Sequence, residues 1–181
     1  MLILASTSET RAKILREFGV DFVQKSVGFD EESIVPSSPR DFVYQAANGK
    51  MKEAVKMFGL ETPILCADTV VSVGDTILRK AKDESDARYL LGLQSGSNVS
   101  ILTCTIYAKR EFYYVDLSTT SYVFDRFDQF AIDDYIASGE WAGKAGAIMV
   151  EGFAKPYIQS TKGYESCAMG LGIEKLLGFL E

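Results

Sequence analysis

The chain predicts an α/β fold in which a mixed, twisted sheet is flanked by helices. Three observations carry this expectation. Short apolar runs alternate with segments of helical period in the first part of the chain, which is the order of an α/β protein. Ile64-Leu65-Cys66-Ala67 is wholly apolar, as a strand covered on both faces must be. Val99 to Ala108 and Phe112 to Phe124 are long and rich in β-branched and aromatic residues, joined near Lys109-Arg110, so they read as an antiparallel pair that makes the sheet mixed. At 181 residues, 47% of them hydrophobic, the chain favours one domain over 1–181, with core enough for two lobes.

The elements follow in order. Leu2-Ile3-Leu4-Ala5 is a strand that hands over within a few residues to a helix from about Glu9 to Phe18. Ile14, Leu15 and Phe18 form its apolar stripe and Gly19 is its stop. Ser6 and Glu9 have the spacing of a capping box, and Ser8 is a second candidate cap. Phe22-Val23 begins a short strand, and Phe29 to Ser33 is an acidic loop. Pro39, after Ser37-Ser38, opens a second helix that Gly59 closes. The apolar strand Ile64–Ala67 leads to Asp68-Thr69. Val70–Val73 and Thr76–Leu78 then flank Gly74-Asp75 as a hairpin. Asp83 to Leu93 is a third helix and Ile132 to Ala137 a fourth. Glu140 to Glu151 is a loop, Tyr157–Gln159 a late strand, and Met169 to Leu180 a C-terminal helix.

Composition narrows the chemistry. There is no histidine, which removes Ser-His and Cys-His catalysis and disfavours zinc or copper. Cys66, Cys104 and Cys167 form no C-x-x-C pair, against a disulfide framework. Acid–base work then falls to Asp, Glu, Lys, Tyr or a metal-bound water, and oxygen ligands suit Mg²⁺ or Mn²⁺. A net charge of −6 argues against nucleic acid as a partner. No apolar run approaches the ~20 residues of a membrane span, and no secretory signal opens the chain, so a cytoplasmic protein without membrane contact is expected.

Asp68 is the sharpest single residue. It sits at the C-terminal end of an apolar strand, where α/β sheets place ligands, and it either caps the next turn or is paired, metal-bound or catalytic. The first helix offers free N–H groups to an anion, with Arg11 one turn in as a planar fork of donors. Asp30, Glu31 and Glu32 could join Asp68 around a divalent cation or form a solvated loop. Lys50, beside the core-like Ala46, Ala47 and Met51, could reach a site or snorkel. Arg79-Lys80 is either a basic cluster for an anion or an edge-strand charge. Lys144-Ala145-Gly146 lies in a glycine-rich loop that is not a P-loop.

Taken in order, Leu4-Ala5-Ser6-x-Ser8-x-x-Arg11, Asp30-Glu31, Lys50, Ala67-Asp68-Thr69-Val70-Val71, Lys80, Ser95-Gly96, Lys144-Ala145-Gly146, Glu151-Gly152 and Gly170-Leu171 resemble the Maf family of nucleoside triphosphate pyrophosphatases. The likeness covers almost the whole chain. It implies a fold similar to inosine-triphosphate pyrophosphatase, with two lobes and a central cleft. It implies hydrolysis of a nucleoside triphosphate to monophosphate and pyrophosphate with a divalent cation, in the cytoplasm, often as a homodimer. Asp68 falls on the family's catalytic aspartate and Glu31 on an acidic position linked to metal. Arg11, Lys50 and Lys80 fall on its phosphate contacts, with Ser6 and Ser8 in the same substrate-binding block. The chain also departs from the pattern. The usual Ser-Pro-Arg-Arg is Ser8-Glu9-Thr10-Arg11, and Thr10 stands at a position tied to base selection. Thr69 matches the branch acting on dTTP and UTP, whereas Glu151 matches the branch acting on methylated GTP. The family name reflects inhibition of septum formation. With an arginine lost at Thr10, a nucleotide-binding regulator of cell division is the alternative expectation.

Overall fold

A computed structural model describes residues 1–180. Its centre is a seven-stranded mixed sheet. Strands β1 (Leu2–Ala5), β2 (Phe22–Lys25) and β3 (Ile64–Val73) are parallel neighbours in the order β2-β1-β3. Strand β4 (Thr76–Leu78) turns back along the end of β3 through the Gly74-Asp75 hairpin. Strands β5 (Asn98–Lys109), β6 (Phe112–Phe124) and β7 (Ile158–Lys162) continue the sheet in antiparallel fashion. The mixed sheet expected from the long aromatic strands is therefore present.

Helices α1 (Glu9–Glu17) and α2 (Pro39–Phe58) lie on opposite faces of the β1/β3/β5 region. Alternation along β3 feeds both cores. Ile64 and Cys66 pack with Val43, Ala47 and Met51 of α2, while Leu65 and Ala67 pack with Ala12, Ile14 and Leu15 of α1. A third core lies beyond, where α3 (Glu84–Gln94) and α4 (Gln129–Ser138) cover the far ends of β5 and β6. No helix among the described residues is long and apolar enough to cross a membrane.

The strand carrying Asp68 does not end there. β3 runs unbroken to Val73, because β5 pairs with it residue for residue from Ile64 to Val73. Asp68 and Thr69 interrupt the apolar pattern, yet the backbone keeps its ladder and the two side chains find polar partners. The C-terminal helix expected over Met169–Leu180 is also corrected. A short helix α5 (Glu165–Ala168) ends just before that span, which itself holds only α6 (Ile173–Leu176) and a 3-10 turn at Leu177–Phe179. Gly170 takes φ +106°, which a right-handed helix cannot contain. At the other boundaries, Asp128 caps α4 four residues before Ile132, where its apolar pattern begins, and Lys155–Tyr157 is a 3-10 turn ahead of β7.

Candidate active site

The pairing pattern leaves a notch in the sheet. β1 pairs with β3 only at Ile64 and Leu65, and β4 only from Val71 onward. Between them the edge of β3 carries no strand, so Asp68 on the α2 face and Thr69 on the α1 face open into one cleft of about 640 Å³. The end of β1 and the start of α1 wall it on one side, bringing Ser6, Ser8, Thr10 and Arg11. Lys80, Lys144 and Glu151 come from the other side, while Glu31 and Lys50 join from the acidic loop and α2. Every site residue that the resemblance implies thus lines the same cavity.

Lys50 stands between two carboxylates. Its Nζ lies 2.6 Å from Glu31 Oε1 and makes a short hydrogen bond to Asp68 Oδ1. Asp68 is buried, and burial pushes its carboxyl above its ordinary value against the opposing charges of Lys50 and Arg11. Burial acts on Glu31 too, but there the hydrogen bond and charge of Lys50, with Lys80 and Arg11, win and hold the carboxyl below its ordinary value. Phe29 explains how the acidic loop reaches α2. Its ring lies against Gly49, where an added Cβ would sit 2.2 Å from the ring edge.

Arg11 is held on three sides. Nε donates to Gly170 O at 2.8 Å, Nη1 to Ser6 Oγ at 3.1 Å and Nη2 to Thr69 Oγ1 at 3.2 Å. Gly170 is required at its position: an added Cβ would meet Thr69 Oγ1 at 3.2 Å and Arg11 Nε at 3.4 Å, on a backbone already at positive φ. The capping box at Ser6 and Glu9 is not formed. Ser8 caps α1 by accepting from the Arg11 N–H, and Ser6 Oγ accepts from the Ser8 N–H and from Arg11. Gln24 of β2 closes the back of this loop, donating to Ser6 O at 2.9 Å. Glu9 is exposed at the cleft rim, with its carboxylate 3.8 Å from Arg16.

Of the basic pair after the hairpin, only Lys80 faces the cleft. Arg79 lies over the Phe42 ring and pairs with Glu32 at 2.7 Å, so the acidic cluster is divided between two cations. An isolated antiparallel bridge between Lys80 and Ala145 sets Lys80 beside Lys144. Neither lysine has a carboxylate within 4 Å among the described residues. Sequence reasoning missed Thr103 of β5, whose hydroxyl lies 2.8 Å from Thr69 Oγ1. Only its cross-strand register with Thr69 could have pointed to it.

Among the described residues no group of three or more His, Cys, Asp or Glu is arranged to hold a metal ion. Of the carboxylates that line the cleft, Asp68 and Glu31 stand together, both in contact with Lys50, while Glu9 and Glu151 lie elsewhere on its wall. Such a pair fits Mg²⁺, which takes one or two carboxylates and fills its other positions with water and substrate phosphates.

The family model "Maf: Maf-like protein" matches residues 1–181. A protein of a Nitratiruptor species named nucleoside triphosphate pyrophosphatase is 56% identical over 97% of this chain and 96% of its own. A Helicobacter pylori protein of the same name is 41% identical over 99% of this chain and 95% of its own. Among solved structures, the Staphylococcus aureus Ham1 protein is similar with a TM-score of 0.56, covering 99% of this chain and 97% of that one. At 17% identity it shows the fold alone. With the family match running from end to end and a relative more than half identical over almost its full length, the chain belongs to the Maf family.

Proposed function

We propose that this protein hydrolyses a nucleoside triphosphate between the α and β phosphates, releasing the monophosphate and pyrophosphate. The observation that carries the reading is the meeting, at one notch in the sheet, of a buried carboxylate with four cationic side chains. Phosphoryl transfer asks a protein for charge neutralisation and in-line placement of water more than for covalent help. Arg11, Lys80 and Lys144 are assigned to the phosphate oxygens. Two N–H groups of Arg11 remain beyond the three that hold it in place. Ser6 and Ser8 shape the loop that presents Arg11.

Asp68 is assigned as the proton acceptor for the attacking water. Its burial makes it a stronger base than a surface aspartate, and Lys50 keeps it ionised and oriented. The water oxygen bonds to the α phosphorus, its proton passes to Asp68, and the bond to the bridging oxygen breaks so that pyrophosphate leaves. Glu31 and Asp68 would hold a divalent cation, Mg²⁺ or Mn²⁺, that arrives with the substrate and adds charge neutralisation at the phosphates. Glu31 also shares Lys50, so that Asp68 is not the sole counter-charge of that ammonium.

Thr10 and Glu151 stand at the cleft wall and are assigned to the base. The Thr69 hydroxyl is occupied by Arg11 and Thr103, so its contribution to base choice would be indirect. No observation favours the regulator of septum formation. Glu9, the added negative charge near the anion site, leans toward Arg16, and the cluster around Lys50 is intact. A panel of canonical and modified nucleoside triphosphates, with products separated, tests the reading. Pyrophosphate and a monophosphate are expected from at least one nucleotide, and no turnover across the panel would refute it.

A further inference from the structure

The hydrogen-bond directions around Arg11 can be worked out from chemistry alone. A carbonyl oxygen only accepts, so the 2.7 Å contact between Thr103 Oγ1 and Cys167 O uses the one hydroxyl proton Thr103 has. Thr103 Oγ1 must then accept at its 2.8 Å contact with Thr69 Oγ1, and the Thr69 proton points to it. Thr69 Oγ1 is left with lone pairs only, and one of them accepts from Arg11 Nη2. Thr103 is fully buried, so no water competes for this order. The chain of bonds runs one way, from Arg11 through Thr69 and Thr103 to Cys167 O. The same turn also supplies Gly170 O to Arg11 Nε.

We propose that Thr103 is a positioning residue for the reaction: it turns the Thr69 hydroxyl into an acceptor and thereby locks the Arg11 guanidinium with its two remaining N–H groups toward the phosphates. This rests on the assignment of Arg11 to the phosphates under the function proposed above. A guanidinium rotates freely about its stem unless its donors are matched by fixed acceptors. Without Thr103 the Thr69 proton is released, and the hydroxyl can present that proton to the cleft instead of a lone pair to Arg11. A Thr–Thr pair at one rung of the β3/β5 ladder thus serves α1, although neither Thr103 nor Cys167 touches the cleft.

The test is a double-substitution cycle on the purified protein with Thr103→Val, Thr103→Ser, Thr69→Val and Thr69→Val/Thr103→Val. Turnover of the best nucleotide is measured beside the thermal midpoint and the exchange protection of the Arg11 Nη2–H by nuclear magnetic resonance. Thr103→Val is expected to lower kcat/KM about tenfold, the scale of one hydrogen bond to a charged group, while Thr103→Ser stays within about twofold of the unsubstituted protein. Thr69→Val and the double variant should agree within about twofold, since the Thr103 hydroxyl acts on the Arg11 Nη2 mainly through Thr69, its bond to Cys167 O steadying the turn of Gly170. The Arg11 Nη2–H that donates to Thr69 should lose protection in Thr103→Val and keep it in Thr103→Ser. Additive losses, a Thr103→Ser as impaired as Thr103→Val, or an Arg11 Nη2–H unchanged in Thr103→Val would overturn the proposal. Absence of turnover in the unsubstituted protein would refute the function instead, and the Arg11 signal would still decide the positioning role.

Discussion

Gly49→Ala separates helix propensity from the packing that builds the site. Gly49 lies in the interior of α2, where alanine ordinarily stabilises by about 1 kcal/mol. Here an added Cβ would lie 2.2, 2.3 and 2.7 Å from three carbons of the Phe29 ring, whereas carbons rest at roughly 3.5–4.0 Å. The ring must therefore retreat by about 1.5 Å or leave its seat. Phe29 is half-buried against the core under α2, so exposing it forfeits on the order of half the ~1.5–3 kcal/mol that full burial of such a side chain supplies. The propensity gain is cancelled, and the net change in stability is close to zero or unfavourable. The cycle with Phe29→Ala exposes the conflict. Gly49→Ala should regain its ~1 kcal/mol of stabilisation once the ring is gone, giving a coupling of about 1–1.5 kcal/mol by urea unfolding. Catalysis should suffer more than stability. Glu31 sits two residues beyond Phe29, 2.6 Å from Lys50, and a displacement near 1 Å at such a contact costs up to ~10²-fold in rate. Stabilisation by about 1 kcal/mol in both backgrounds, with kcat/KM unchanged, would refute the packing of Phe29 on Gly49 as the support of the acidic loop.

Other outcomes follow from the same geometry. Lys50→Met should destabilise by about 3 kcal/mol near neutral pH, because two carboxylates, one of them buried, lose their shared cation. Burial raises the folded-state pKa of Asp68, so the native state takes up a proton before the unfolded chain does. The penalty in Lys50→Met should therefore shrink as the pH falls through that folded-state pKa and grow as it rises, read as urea midpoints at about pH 5 and about pH 8. Gly170→Ala combines a positive φ with contacts to Thr69 and Arg11, and should lose about 1–3 kcal/mol in urea unfolding together with most of the turnover. Chelation of divalent cations should abolish pyrophosphate release, with Mg²⁺ or Mn²⁺ restoring it.

Much of the fold was legible because periodicity and punctuation agreed. Pro39 and Gly59 bracket α2, Gly74-Asp75 makes the hairpin, and the two long aromatic strands pair along their full length. The site residues were legible as types in an order, but not as a shape. That Asp68 and Thr69 stay inside a strand depends on β5, whose pairing partner is far away in sequence. Ser8 rather than Ser6 caps α1 because Ser6 Oγ is taken by Arg11 and by the Ser8 N–H, a contest that local spacing does not reveal. The Gly170-Leu171-Gly172 stretch held the signal for a break in the last helix, since one glycine at positive φ suffices to end it. Thr103 carried no local mark: a threonine in a β-branched strand is ordinary until its neighbour across the ladder is known.

The central claim is that Asp68, set among Arg11, Lys50, Lys80 and Lys144, drives water onto the α phosphorus. Turnover of the best nucleotide by the unsubstituted protein and by Asp68→Asn, in water enriched in ¹⁸O, tests it most directly. The label should enter the monophosphate, with unlabelled pyrophosphate released, and Asp68→Asn should lose on the order of 10²-fold or more in kcat while remaining folded. Label in orthophosphate with a diphosphate product, or undiminished turnover in Asp68→Asn, would contradict it.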